Sequence, residues 1–207
     1  MIELEEARQR ILDVIYPVQG ETIELSKIQG RILAENLIAP INLPTFDNSA
    51  MDGFAVRASE AAAGARLRTI GEVAAGTVFE DEVREGECVR IFTGSPMPAG
   101  ANAVVMQEDT HVEGRTVEIT DGVKPFENLR LKGEDVKERT VIGQSGELLT
   151  PGHVSLLGSC GIAEVRVSKQ PTIGILATGN ELRESGATLA SGEIFESNRQ
   201  SIARLVE

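Results

Sequence analysis

Two carboxylates, an amide and a hydroxyl fall within six residues of one another in the run Leu43-Pro44-Thr45-Phe46-Asp47-Asn48-Ser49-Ala50-Met51-Asp52-Gly53-Phe54-Ala55-Val56. Asp, Asn and Ser side chains in such a run either bond to nearby backbone and close Asx-type turns or stand out from a loop to hold a ligand. Asp52 carries the second reading. Beside Gly53, where a ligand can approach the main chain, its carboxylate can ligate Mg²⁺ or orient a water. A single carboxylate cannot by itself hold a highly charged anion.

Three further segments offer chemistry. In Arg90-Ile91-Phe92-Thr93-Gly94-Ser95-Pro96-Met97-Pro98 a strand runs into a Gly/Pro-braced loop. The hydroxyls of Thr93 and Ser95 and the local amides suit an oxyanion, or the loop simply ends the strand. Arg130-Leu131-Lys132-Gly133-Glu134-Asp135-Val136-Lys137 is a tight mixed-charge cluster. Its cations suit a phosphate, and its alternative is a solvated face of weak ion pairs. Leu176-Ala177-Thr178-Gly179-Asn180-Glu181 would lie at the carboxyl end of a strand, where open α/β sheets bind ligands. It matches neither the Walker A nor the dinucleotide pattern.

The elements that must position these residues are short. Leu4, Ala7, Ile11, Val14 and Ile15 recur at helical spacing. Pro17 and Gly20 close that helix. Residues 21–25 read as a strand, and Ser26 as the cap of a helix over 26–34. From Phe46 glycines become frequent, and strands are expected at 53–57, 67–73, 87–92, 103–107, 111–112 and 116–119. Glu113-Gly114 is the expected hairpin turn. Pro151 opens a short helix, and 163–167 reads as a strand. The apolar run beginning Pro171-Thr172-Ile173-Gly174-Ile175-Leu176 reads as the first buried strand of an α/β domain. A helix capped by Ser197 and bearing Ile202, Leu205 and Val206 follows. One strand and one helix do not complete such a domain, so a truncated chain is expected.

Composition narrows the classes. The chain has 207 residues and a net charge of −12, from 32 acidic and 20 basic side chains. So acidic a chain repels phosphodiester backbones, and six Phe, one Tyr and no Trp leave few platforms for stacked bases. Nucleic acid is therefore not expected as a partner. No apolar run approaches the length of a membrane helix, and the acidic start lacks the features of a secretory signal. Cys88 and Cys160 are isolated and read as buried thiols of a reducing compartment. His111 and His153 lie far apart, which disfavours a zinc site or a catalytic histidine. Carboxylates, hydroxyls, amides and a few cations remain.

In this order, the four segments resemble the molybdopterin molybdenumtransferase family, which includes bacterial MoeA and the gephyrin E-domain. The run over 44–56 is the most specific match, supported by 90–98, by Val104-Val105-Met106-Gln107-Glu108 and by 130–135. The resemblance implies insertion of molybdate into adenylyl-molybdopterin with release of AMP, assisted by Mg²⁺, in a cytoplasmic homodimer. It implies an α+β fold: a mixed framework lobe over 1–45 and 125–168, an elongated β-rich lobe inserted over 46–124, and the start of an α/β molybdopterin-binding domain over 170–207. By motif it assigns catalytic roles to Asp52, Thr93 and Glu181, with Asp52 as a Mg²⁺ ligand. Asn48, Ser49, Ser95, Thr178 and Gly179 become substrate-binding residues, and the 130–135 turn is architectural or edges the cleft. Phe195-Glu196 stands where the family has Tyr-Asp. The chain reads as the amino-terminal half of a family member and is expected to be inactive alone. A non-catalytic scaffold or dimerisation fragment and a tungsten-inserting relative are the alternatives.

Overall fold

A computed structural model describes residues 2–16 and 18–206. The chain divides into two compact units, one made of residues 1–21 with 168–207 and the other of residues 22–167.

The larger unit is built on strands. β1 (Gly20–Glu24) pairs with β12 (Glu164–Ser168), and β2 (Leu37–Ile38) with β11 (Val141–Gly143). β3 (Asn48–Ser49) pairs antiparallel with β10 (Leu129–Arg130). Six strands form the main sheet: β4 (Gly53–Val56), β5 (Arg66–Val73), β6 (Glu87–Ile91), β7 (Ala103–Met106), β8 (Thr110–Glu113) and β9 (Thr116–Ile119). Their order across the sheet is β7-β4-β6-β5-β9-β8. The expected strands of this region all form, within a residue or so at their ends. Gly114, with φ of 59°, makes the β8–β9 turn that glycine favours.

Alternation along these strands gives the sheet an apolar face on each side. Phe54, Val56, Cys88, Val105 and Val117 pack on one face, and Ala55, Val73, Val89, Ile91 and Val104 on the other. A further core joins Ile28, Leu33, Leu149, Leu157, Val165 and Val167, with Leu157 supplied by helix α2 (Pro151–Ser159). Thr150 and His153 close a capping box at the start of α2. Cys88 and Cys160 are free and buried, and burial pushes the Cys88 thiol up to about 11.

One expectation fails here. Only a 3₁₀ turn, Leu25–Lys27, forms where a helix over 26–34 is expected. Gly30 takes a φ of 77°, which breaks the helix. Ile32 and Leu33 instead make β-bridges to Leu148 and Val167.

In the smaller unit, α1 (Leu4–Leu12) forms as its periodicity predicts, but no residue in it is buried. Glu6–Arg10 and Glu5–Arg8 ion pairs line its surface. The strand expected over 172–176 does not form. A strand needs a neighbour to take its amides and carbonyls, and none pairs with this run among the described residues. Two short strands, β13 (Leu182–Arg183) and β14 (Ile194–Phe195), pair in parallel. Ser197 occupies the cap position of α3 (Asn198–Leu205) but its side chain makes no cap bond. The Glu196 carboxylate instead accepts the Arg199 amide at 2.7 Å.

Candidate functional site

Three of the four segments meet in the larger unit. β3 carries Asn48 and Ser49 between β10 and the loop after β6: Asn48 bridges both Arg130 and Pro96. The Ser49 amide donates to the Ser95 carbonyl at 3.0 Å, and the Gly94 amide to the Ser49 carbonyl at 2.8 Å. The Asp47 carboxylate accepts the Lys132 amide at 2.7 Å. The Leu43 amide donates to the Val136 carbonyl at 2.8 Å, and the Leu43–Pro44 peptide bond is cis.

Asp52 stands where this web enters the main sheet. Its carbonyl accepts the Gln107 amide at 3.0 Å. Its Oδ1 accepts both the amide and the hydroxyl of Thr93, each at 2.8 Å. The two Thr93 bonds hold the Asp52 carboxyl below its usual range, and the nearby Arg90 charge adds to the effect. Asp52 is partly exposed and Thr93 exposed, so the pair presents an ionised carboxylate at the surface. Glycine is required next to it, because a Cβ on Gly53 would sit 2.0 Å from the Val105 carbonyl oxygen.

Arg90 is the neighbour that motif reading did not single out. It faces Phe54 across β4–β6 and lies two residues before Phe92, so both rings share its side of the sheet. Its guanidinium sits 5.0 Å from the Phe54 ring centre and 5.2 Å from that of Phe92, within cation–π range. It also donates to the Gln107 side chain. A cation inside the otherwise apolar run Cys88-Val89-Arg90-Ile91 was the available signal.

The other expected site residues divide sharply. Ser49 and Ser95 are completely buried. The Ser49 hydroxyl binds the Met51 carbonyl, and the Ser95 hydroxyl has no hydrogen-bond partner among the described residues. Both serines lie beneath the loop that carries Thr93. Asn48 is nearly buried and donates to the Phe46 carbonyl at 3.1 Å. The 130–135 turn satisfies itself: Arg130 binds Glu134 at 2.7 Å and also Asp135, while Glu134 accepts the Leu131 amide at 2.8 Å. Arg130 thereby holds the Glu134 carboxyl below its usual range. With its guanidinium so engaged, Arg130 is a brace for the turn.

Thr178, Gly179 and Glu181 belong to the smaller unit, where all three are exposed. The Glu181 carboxylate folds over Gly179: a Cβ there would meet Oε1 at 2.6 Å. Its carbonyl accepts the Ile194 amide at 2.8 Å, tying this turn to β14.

As for a metal, no group of three His, Cys, Asp or Glu suited to one occurs among the described residues. Asp52 nonetheless fits a Mg²⁺ that keeps most of its ligands as water and substrate oxygen. The described hydrogen bonds to its carboxylate both go to Oδ1, leaving Oδ2 for the ion.

Comparison with known proteins places this geometry in a class. Residues 2–161 match the family model described as MoeA N-terminal region (domain I and II). The chain belongs to the MoeA family. It is 43% identical over its whole length to the molybdopterin molybdenumtransferase of Haemophilus influenzae, covering 52% of that protein, and 39% identical to that of Staphylococcus aureus strain Mu50, covering 50%. It thus spans about half the length of the curated relatives it matches. The crystal structure of the molybdopterin biosynthesis moeA protein from Pyrococcus horikoshii OT3 superposes on all of it with a TM-score of 0.90 at 36% identity, over 56% of that chain. The mixed α+β fold is that of the MoeA structures.

Proposed function

We propose that the chain serves molybdenum cofactor biosynthesis as the amino-terminal part of a molybdopterin molybdenumtransferase, acting on adenylyl-molybdopterin and molybdate with release of AMP. The observation that carries this reading is the Asp52–Thr93 pair: a carboxylate kept ionised by an amide and a hydroxyl, inside the family-matched region. We read 46–124 as an inserted β-rich lobe on a mixed framework, and the intact protein as a cytoplasmic homodimer.

In this reading Asp52 would hold Mg²⁺, which when bound offsets the negative charge of phosphate and oxyanion. The chain's own residues prepare that position. Thr93 fixes the carboxylate rotamer through two bonds to one oxygen, so little reorganisation is needed when charge arrives. Arg90, stiffened by two rings, keeps a positive charge beside it. In the smaller unit, Glu181 is read as a further catalytic carboxylate, with Thr178 and Gly179 as substrate-binding residues of its turn.

The test is AMP release from adenylyl-molybdopterin with molybdate and Mg²⁺. We expect none from the 207-residue chain alone. Turnover should appear when the carboxy-terminal half of the Haemophilus influenzae relative is added, and Asp52→Asn should lower it about 100-fold or more with the fold intact. Undiminished turnover by Asp52→Asn would reduce Asp52 to a turn brace.

A further inference from the structure

On the Phe54 side of the main sheet lies a cleft of about 410 Å³, of whose lining only Arg90 has a role above. Phe54, Thr69, Glu72, Arg90, Val112 and Arg115 line it. Its origin is local. The β5–β6 register shifts between Thr69 and Gly71, and the β8–β9 turn stands alongside β5, where the Thr69 amide donates to the Arg115 carbonyl at 2.8 Å.

Its charges are unusual for this molecule. Acidic side chains outnumber basic ones 32 to 20, so a surface arginine has carboxylates to spare. Arg66 and Arg68, on β5 itself, pair with Glu118 at 2.8 Å and Glu87 at 2.7 Å. Arg90 and Arg115 form no ion pair among the described residues, although Glu72 lines the same cleft. Arg90 spends one N–H on Gln107 and lies against two phenyl rings, which restrains it and leaves other N–H groups for a guest. Two arginines against one carboxylate give the cleft a positive balance within an acidic chain, and a planar fork suits the oxygens of phosphate. Val112, half exposed, adds apolar surface for whatever the phosphate is attached to, while the buried Phe54 serves as the platform under Arg90.

We propose that this cleft is an organophosphate subsite in which Arg90 and Arg115 hold the phosphate and the exposed Val112 meets an apolar body. The subsite shares Arg90 with the Asp52 site but needs neither the Asp52 carboxylate nor a metal. Binding of phenyl phosphate and of inorganic phosphate to the 207-residue chain, in EDTA so that no divalent ion contributes, tests it by calorimetry. Phenyl phosphate should bind saturably and more tightly than inorganic phosphate. Arg115→Gln, on an exposed turn, should weaken it about tenfold, and Glu72→Gln should tighten it about threefold. Asp52→Asn, which removes a negative charge near Arg90, should not weaken it. Absence of saturable binding at millimolar phenyl phosphate, full affinity in Arg115→Gln, weakening by Glu72→Gln, or loss in Asp52→Asn would each overturn the proposal. Equal binding of inorganic phosphate would remove the organic body from it. Because no step uses metal or molybdate, failure here leaves the transferase reading standing, and the reverse holds too.

Discussion

The runs 67–73 and 172–176 both carry aliphatic residues around a glycine and both read as strands, yet only the first is one. β5 lies between β6 and β9, so its backbone groups are paired on both sides and Leu67 and Val73 are buried. The run 172–176 has no paired neighbour among the described residues, and Ile173 and Leu176 are 52% and 86% exposed. What separates them is the partner. Apolar side chains favour burial, but a strand persists only where another strand takes its hydrogen bonds.

Glycine substitution breaks the comparison most forcefully. Gly53→Ala drives a Cβ into the Val105 carbonyl and should cost more than about 4 kcal/mol in urea unfolding. Gly174→Ala meets nothing within 4 Å and should change stability by less than about 0.5 kcal/mol. A clear loss with Gly174→Ala would mean that this segment packs more tightly than it does here.

Leucine truncation is the next largest contrast. Leu157→Ala empties a fully buried site and should cost about 3 kcal/mol, whereas Leu176→Ala should cost less than about 0.5 kcal/mol. Amide exchange should agree, slow through β4–β6 and fast over 172–176.

The two helix starts sharpen it further. α2 is capped by Thr150 with His153, so His153→Ala should cost about 1 kcal/mol by chemical denaturation. Ser197 caps nothing with its side chain, and Ser197→Ala should cost less than about 0.5 kcal/mol.

The smallest effect concerns Asp52. Its folded-state pKa is lowered, so its contribution to stability is present above the ordinary aspartate value near 3.9 and is lost as pH falls through the folded value. Thr93→Val removes the hydroxyl donor and keeps the amide. The Asp52 carboxyl signal, followed by NMR, should then titrate at higher pH than in the unaltered chain. An unchanged titration would show that the amide alone holds it.

Much of this was legible from sequence because it is local. Short strand-forming runs between recurring glycine turns located all six strands of the main sheet, Gly114 marked its hairpin, and the proline-opened helix lies where Pro151 placed it. The four segments, above all the run over 44–56, resembled the family, and the match of residues 2–161 to its model bears that out. Local pattern failed at 26–34, where Gly30 takes a left-handed conformation and pairing with distant residues outweighed helical periodicity.

What the sequence determined by itself was therefore the strands and hairpin turn of the main sheet, and which residues could act. Only the tertiary structure decided which of those residues are exposed and what they bond to. Asp52 and Thr93 were 41 positions apart until β4 and β6 paired, and that pairing set one as the other's acceptor. Ser49 and Ser95 looked equally available, but the crossing of β3 with the Pro96 loop sealed them inside. Arg90 gained its place only when Phe54 arrived from another strand. Residue type and spacing act within a few positions along the chain, whereas burial and hydrogen bonding depend on neighbours brought from far away by the fold.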